Sequence, residues 1–590
     1  MRISLIVFCI ILMILSSYAQ NINELQVIKR PADFEILSAP DSLGMRSPLK
    51  QPSHNKNNIL LPYPIIFIHG LNSNCSTWDS LTNFMDAQYG FTFGGRFDFC
   101  LNYDGDNTIA NTNFWPTIGA DLALYTDYAN PAQVVVGDYY YLNFGVGSNG
   151  SVFPTNSDPN YVLSEQSAIT KQGMALKWAI CYVLYKTGRD KVVLMGHSMG
   201  GLASRQYMQN LNLWQPDGDD HVAKLITTGT PHGGSNSSMS ILSELLTGVC
   251  NEAEAVRDLR SSYYYSEDNG VFLYGGYETD TVMDDILLYD FYNVDVNCNG
   301  IEGEYVTGLN QKTIYNDLDY TCIIGDCSGC VTSPGDGVVS SYNADLNNFY
   351  SGLNINMFYY YASAMTQIHT DLPSQIYLNM QGLDEPNEYV LSYNIGFDTT
   401  YTAFTTVQPD DGYIYDYDDF KFSVPVQSNV NVSINSIFLA DLMVRIVNLA
   451  GNVVGTTIHS AGSYNINYTQ VLNAGDYYIE IYGTPTLTSY LYPYNFRLSK
   501  TPVTSALEMH NVISDLLVYP NPAKSQLNID IETIDKNLNF EILNSLGQVV
   551  YKSTLTNLKT TIDIDNFSSG VYLIKFDTDK SNVYYKFIKE

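Results

Sequence analysis

"KVVLMGHSMGG", Lys191–Gly201, decides how the rest of the chain is read. Val192–Met195 is an apolar run of strand type, and Ser198 then stands between Gly196 and Gly200. "GLASRQYMQNL" follows with the spacing of a helix. A serine on a sharp turn from a buried strand into a helix projects its hydroxyl from the end of a sheet. The helix N-terminus behind it favours a developing negative charge. Glycine on either side removes Cβ atoms that would collide with the packed turn.

Outward from this turn, strand and helix patterns alternate. "PIIFIHG" and "AQVVVGDYYYLNFG" read as strands, "SEQSAITKQGMALKWAICYVLYKTG" as a helix and "AKLITTGTP" as the next strand. "YTCIIGD" and "INMFYYYASA" are two more strands. Such alternation predicts a parallel sheet with helical crossovers over residues 58–383, interrupted by an insertion at 235–318. In the insertion, "SMSILSELLTGVC" puts Ile241, Leu242, Leu245, Leu246 and Val249 on one helical face, as a lid or a core helix would. From Asp384 to Pro502 the helical spacing stops, and "DDFKFSVPV", "VNVSINSI", "DLMVRIVNLAG" and "GDYYIEIYG" read as strands of a β-sandwich. A second small β unit spans 513–590. The fold class expected is α/β followed by two small all-β sandwich domains.

At the other end, "MRISLIVFCIILMILSSYAQ" has a cationic start, a short apolar core and a small-x-small site at Ser17–Ala19. It reads as a secretory signal over 1–19, too short to span a bilayer, and 20–57 as a polar extension. No later run is long enough to cross a membrane. The 590-residue chain carries 61 acidic against 29 basic residues, a net charge of −32 that would repel nucleic acid. Eight of its nine cysteines follow the signal and precede residue 331. Export makes disulfides the expected state, with Cys181 the exception as a free thiol in a helix.

A serine hydroxyl needs a base to take its proton and an acid to hold that base. In this architecture the order along the chain is serine, acid, histidine. Of the eight histidines, His369 in "SAMTQIHTDLP" alone follows the last strand of the α/β region with no further domain between. The acid belongs after the next-to-last strand, where Asp326 and Asp336 both stand, and Asp336 in the tight turn "PGDGVVS" is preferred. The oxyanion donors expected are the amides of Met199 and Leu71. A separate stretch, "DVNCNGIEGE", sets Asp295, Asn297 and Asn299 at the first, third and fifth positions of a calcium loop, with Val306 where a bidentate Glu is usual.

"FIHGL", "GHSMGG", "TGTPHGGS", "DGVV" and the late H-x-D together resemble secreted bacterial α/β-hydrolases of the lipase type over 58–383. The resemblance implies Ser198 as nucleophile, Asp336 as acid and His369 as base. "DDFKFSVPV" and "LNAGDYYIEIYG" resemble the pre-peptidase C-terminal type of domain over 384–502. "YPNPA", "SLGQVV" and "SGVYLIKF" resemble the type IX secretion sorting domain over 513–590, which implies secretion machinery as a partner and a secreted or cell-surface location. The function expected is that of a secreted serine hydrolase of carboxylic esters, acyl lipids above all. Its chemistry needs no cofactor, and calcium would be structural. Two alternatives stay open: an amidase with the same triad, and a non-catalytic binding protein on a hydrolase-like scaffold.

Overall fold

The computed structural model describes residues 60–99, 101, 134–146, 164–235, 253–260, 269–278, 295–299, 301, 303–327, 334–353, 355–362, 368–406, 416–436, 442–460, 465–483, 490–503, 516–531, 538–577 and 582–590. The expected signal, the polar extension and the apolar helix around Leu245 lie outside these residues. The chain divides into two compact units, one ending at Pro502 and the other spanning Val503–Glu590.

The first unit opens with a parallel sheet built from β1 (Ile65–Ile68), β2 (Phe93–Asp98), β3 (Tyr139–Asn143), β4 (Val192–His197) and β5 (Val222–Thr228). Three short strands, β6 (Asn269–Gly270), β7 (Gly275–Tyr277) and β8 (Tyr305–Val306), pair in a small sheet of their own. The main sheet is completed by β9 (Asp319–Cys327) and β10 (Ile355–Ala362), in the order β10-β9-β5-β4-β1-β3-β2. Every pairing in it is parallel. The apolar, β-branched runs read in the sequence suit strands covered on both faces. One face packs on helix Ile169–Thr187 through Ile66, Leu194, Leu225 and Ile324. That helix ends at Gly188, whose φ of 66° gives the left-handed cap that a Cβ would resist.

The other face of the sheet does not end at its own helices. Phe67, Met195, Ile226 and Ile323 share one apolar core with Tyr401, Phe420, Val432 and Phe496 of the β region that follows. This region is a sandwich. One sheet joins β11 (Tyr393–Asn394), β13 (Asp416–Val424), β18 (Gly475–Gly483), β15 (Met443–Asn448) and β16 (Val453–His459). The other joins β12 (Thr400–Ala403), β19 (Tyr494–Pro502), β14 (Ser428–Ser436) and β17 (Asn465–Leu472). Tyr89 stacks on Phe404 with ring centroids 5.4 Å apart, and the Thr402 amide donates to the Leu60 carbonyl at 2.8 Å. The sandwich is thus welded to the hydrolase rather than hung from it. Alternating patterns show which residues face inward on each strand, but they do not show which neighbour is met there.

In the second unit, β20 (Leu517–Tyr519), β21 (Gln526–Asp530) and β24 (Lys559–Asp563) form one sheet. Strands β22 (Leu538–Leu543), β23 (Val549–Leu555), β25 (Gly570–Asp577) and β26 (Asn582–Lys589) form the other. Leu527, Ile542, Ile574 and Phe587 fill the space between them.

The cysteines correct the expectation of general disulfide bonding. Cys75, Cys181, Cys298 and Cys322 are free thiols, whereas Cys327 is disulfide-bonded. Cys75, Cys298 and Cys322 are buried and act as small apolar residues in close-packed surroundings, a role that export does not forbid. Cys181, on helix Ile169–Thr187, is free as expected and is partly exposed. No disulfide therefore ties down the loop that carries Cys298.

Candidate active site

Ser198 follows β4 directly and caps the start of helix Met199–Met208, with φ 51° and ψ −125°. A non-glycine residue held at positive φ stores strain that only a well-packed turn sustains. The packing is visible at the two glycines. A Cβ on Gly196 would lie 2.5 Å from the Gly200 carbonyl carbon, and one on Gly200 would lie 2.6 Å from the Ile68 carbonyl oxygen. Helix and strand therefore approach closer than any side chain permits.

His369 comes from the short helix Ile368–Asp371 just beyond β10. Its Nε2 is 2.9 Å from Ser198 Oγ, and its Nδ1 is 2.6 Å from Asp336 Oδ2. A carboxylate only accepts, so Nδ1 carries the proton and the Nε2 lone pair faces the serine. Asp336 lies in the turn after β9. Its Oδ1 accepts the amides of Val338 at 2.9 Å and Val339 at 2.7 Å. Gly337 has φ 92°, the angle that lets this turn fold back. The side chains of His369 and Asp336 are 9% and 1% exposed, so water competes little for either bond. Asp326, the other acid weighed, is on β9 with a buried Oδ1 that meets no hydrogen-bond partner, and it does not touch His369.

Met199 is the first residue of its helix, so its amide has no intrahelical acceptor. Gly70 runs beside the serine: a Cβ there would be 2.7 Å from Ser198 Cβ. Leu71 follows directly and packs its side chain on the cluster containing Met199 and Leu202.

Two histidines passed over in the sequence hold this arrangement. His197 Nε2 lies 2.9 Å from the His369 carbonyl oxygen and donates to it, pinning the backbone of His369. Burial, and then the neighbouring His369, push its pKa well below the ordinary value, so it stays neutral. His69 donates from Nδ1 to the Gly70 carbonyl at 2.9 Å and accepts the Phe144 amide at Nε2 at 2.8 Å. Burial lowers its pKa to about 4. His232 sits apart from the serine, its Nδ1 3.3 Å from Arg205 Nη1 in a buried polar network. Adjacency to Ser198 was the only signal in the sequence for His197.

Asp295, Asn297 and Asn299 share one loop. The Asn299 amide donates to Asp295 Oδ1 at 3.1 Å and to Asn297 Oδ1 at 3.0 Å. Glu304, not Val306, closes on this loop by accepting from the Asn297 side-chain amide. Val306 belongs to β8.

Two stretches of the chain match known families. Residues 61–287 match the PGAP1-like alpha/beta domain. Residues 517–590 match the secretion system C-terminal sorting domain. The PGAP1-like domain and the parallel sheet make the first region an α/β-hydrolase, and the sorting domain, of the type IX kind, marks a secreted or cell-surface protein. No curated protein matches the chain. Among solved structures, the lin2722 gene product of Listeria innocua shares 14% identity at a TM-score of 0.29, covering 55% of this chain and 95% of that one. The pre-peptidase C-terminal domain of collagenase from Bacillus anthracis shares 17% identity at a TM-score of 0.16, covering 20% of this chain and 99% of that one. Among the described residues no helix is long and apolar enough to cross a membrane.

Proposed function

We propose that the PGAP1-like domain is a serine hydrolase of carboxylic esters, and that its substrates are acyl lipids. The observation that carries this reading is the unbroken contact from Ser198 Oγ through His369 to Asp336, at 2.9 and 2.6 Å. Ser198 Oγ attacks the ester carbonyl carbon while His369 Nε2 takes its proton. The carbonyl π pair moves to oxygen, and the Leu71 and Met199 amides receive that oxyanion, each donor contributing about 3 kcal/mol or more. Collapse expels the alcohol, which takes the proton from His369 and leaves an acyl-Ser198. Water then repeats the sequence and releases the acid. Asp336 stays ionised throughout and holds the imidazole in the tautomer that can accept.

The chemistry runs on side chains and backbone amides alone. Calcium at Asp295, Asn297 and Asn299 would serve the loop that carries them and not the reaction.

Initial rates on short- and long-chain p-nitrophenyl esters test the proposal, with the full chain and its Ser198→Ala variant measured side by side. The wild type is expected to hydrolyse them, with rates rising toward longer acyl chains, and the variant to lose on the order of 10⁶ in kcat. Equal rates in both proteins would remove the serine mechanism. A folded wild type inert on every ester, yet active on acyl amides, would move the substrate class to amides.

A further inference from the structure

Strand β13 contradicts its own pattern. Asp416, Asp418, Phe420, Phe422 and Val424 are its buried alternate positions, so two carboxylates occupy places where a sandwich strand puts apolar side chains. Asp384, just after helix Ile376–Gly382, joins them from the end of the hydrolase region. Asp384, Asp416 and Asp418 each offer a carboxylate oxygen within 4.8 Å of the other two, and all three residues are buried. Asp384 and Asp418 are 0% exposed and Asp416 is 4% exposed.

Among the described residues, Asp418 meets no counter-charge. Tyr494 donates its hydroxyl to Asp418 Oδ2, but Asp418 Oδ1 is buried and has no hydrogen-bond partner. Glu385 stands next in the chain, 3% exposed, with Oε2 likewise buried and unpartnered. Thr406 donates its hydroxyl to Asp384 Oδ2 at 2.7 Å and its amide to Asp416 Oδ2. The neighbouring ammonium, Lys224 Nζ, is directed to the Asp384 carbonyl oxygen at 2.7 Å and to the Asp319 carboxylate at 2.6 Å. Burial and mutual repulsion push Glu385, Asp416 and Asp418 well above the ordinary carboxylate range. A buried carboxylate without a counter-charge is among the costliest groups a fold can hold.

We propose that Asp384, Asp416 and Asp418 form a site for a hard divalent cation of the calcium class, clamping the end of the hydrolase region to the first long strand of the sandwich. The donors are all oxygens, as such ions require. Glu385 and the Thr406 hydroxyl stand ready to raise the coordination number beyond the six oxygens of the three aspartates. An ion here would satisfy Asp418 Oδ1 and let the carboxylates ionise together. It would also explain why a core strand keeps two aspartates facing inward. The site is separate from the Asp295 loop, and it is independent of the reaction proposed for Ser198.

The test uses the full chain, stripped with EDTA and then melted across a calcium titration. At a hundredfold excess over Kd, calcium is expected to raise the wild-type melting temperature by at least about 3 °C. The rise should vanish in Asp418→Asn and in Asp416→Asn, and persist in Asp295→Asn. Tyr494 touches Asp418, so terbium bound in its place should show tyrosine-sensitised luminescence that the first two variants lose. A wild type unmoved by calcium overturns the proposal. So does a calcium response that survives Asp418→Asn or is lost only in Asp295→Asn. Should the Asp418 and Asp416 variants not fold, native mass spectrometry still decides. The expected result is one bound calcium that remains in Asp295→Asn, and a protein carrying none is the contrary result.

Discussion

Asp336 and Asp418 are both carboxylates shut away from water, and the fold keeps them in opposite ways. Asp336 has a complete set of partners: two backbone amides on Oδ1 and the imidazole of His369 on Oδ2. Its charge is spread over donors that belong to the chain. Asp418 has a tyrosine on one oxygen, nothing on the other, and two more carboxylates beside it. At an effective dielectric of about 20, like charges no more than 4.8 Å apart, as these oxygens are, repel by about 3 kcal/mol or more per pair. The comparison teaches that burial alone does not tell a finished site from an unfinished one. The test is whether every buried oxygen has a donor. The first site is complete as the chain folds, and the second waits for a partner the chain does not encode.

The largest effect that would break this contrast is on turnover. Asp336→Asn keeps the turn, because its side-chain oxygen can still accept the Val338 and Val339 amides, but it turns a donor toward His369 Nδ1. It should therefore leave the circular dichroism spectrum unchanged and lower kcat by about 10⁴. Wild-type activity in that variant would shift the acid's role away from Asp336.

Stability in the absence of ions gives the next effect, and here the two sites should differ in sign. In EDTA, Asp418→Asn removes repulsion and should raise the midpoint of urea unfolding. Asp336→Asn removes a charge-assisted hydrogen bond and should lower stability by about 1–3 kcal/mol. Shifts of the same sign for both variants would mean that the carboxylates of β13 are balanced by something other than an ion.

Glu165 carries the smallest effect and the one tied to pH. Burial raises its pKa to about 8. The native state therefore keeps a proton that the unfolded chain releases near its ordinary value of 4.5. Stability then falls as pH rises from about 4.5 to about 8 and levels off above that, following the linkage of proton binding to folding. Glu165→Gln cannot lose a proton, so its melting temperature should gain on the wild type steadily across that window. Parallel curves from pH 5 to 8 would show that Glu165 ionises freely in the native state.

Much of the hydrolase was legible because its signals are local. The strand, serine and helix of the elbow lie within a few residues, and the strand-then-loop order put Asp336 and His369 where the geometry has them. What the sequence does not show depends on contacts between distant segments. His197 neighbours Ser198 in sequence, yet it acts on the backbone of His369. Asp384 and Asp418 come from separate segments, and only the shared core of sheet and sandwich brings them together. One clue was available: in "YDYDDFKFSV" the inward register of Phe420, Phe422 and Val424 extends back onto Asp418 and Asp416. The free thiols are not legible in the sequence for a different reason. Compartment decides whether a disulfide is allowed, but packing decides whether a buried cysteine meets another.

The central claim is that Ser198 is a nucleophile activated by His369. Intact mass spectrometry after exposure to an alkyl fluorophosphonate tests it most directly, because the reagent forms a covalent bond only with an activated hydroxyl and loses fluoride. The account predicts one adduct per chain, mapped to Ser198 by peptide fragmentation, and labelling slowed by orders of magnitude in His369→Ala. An unlabelled wild type, or an adduct on any other residue, would contradict it.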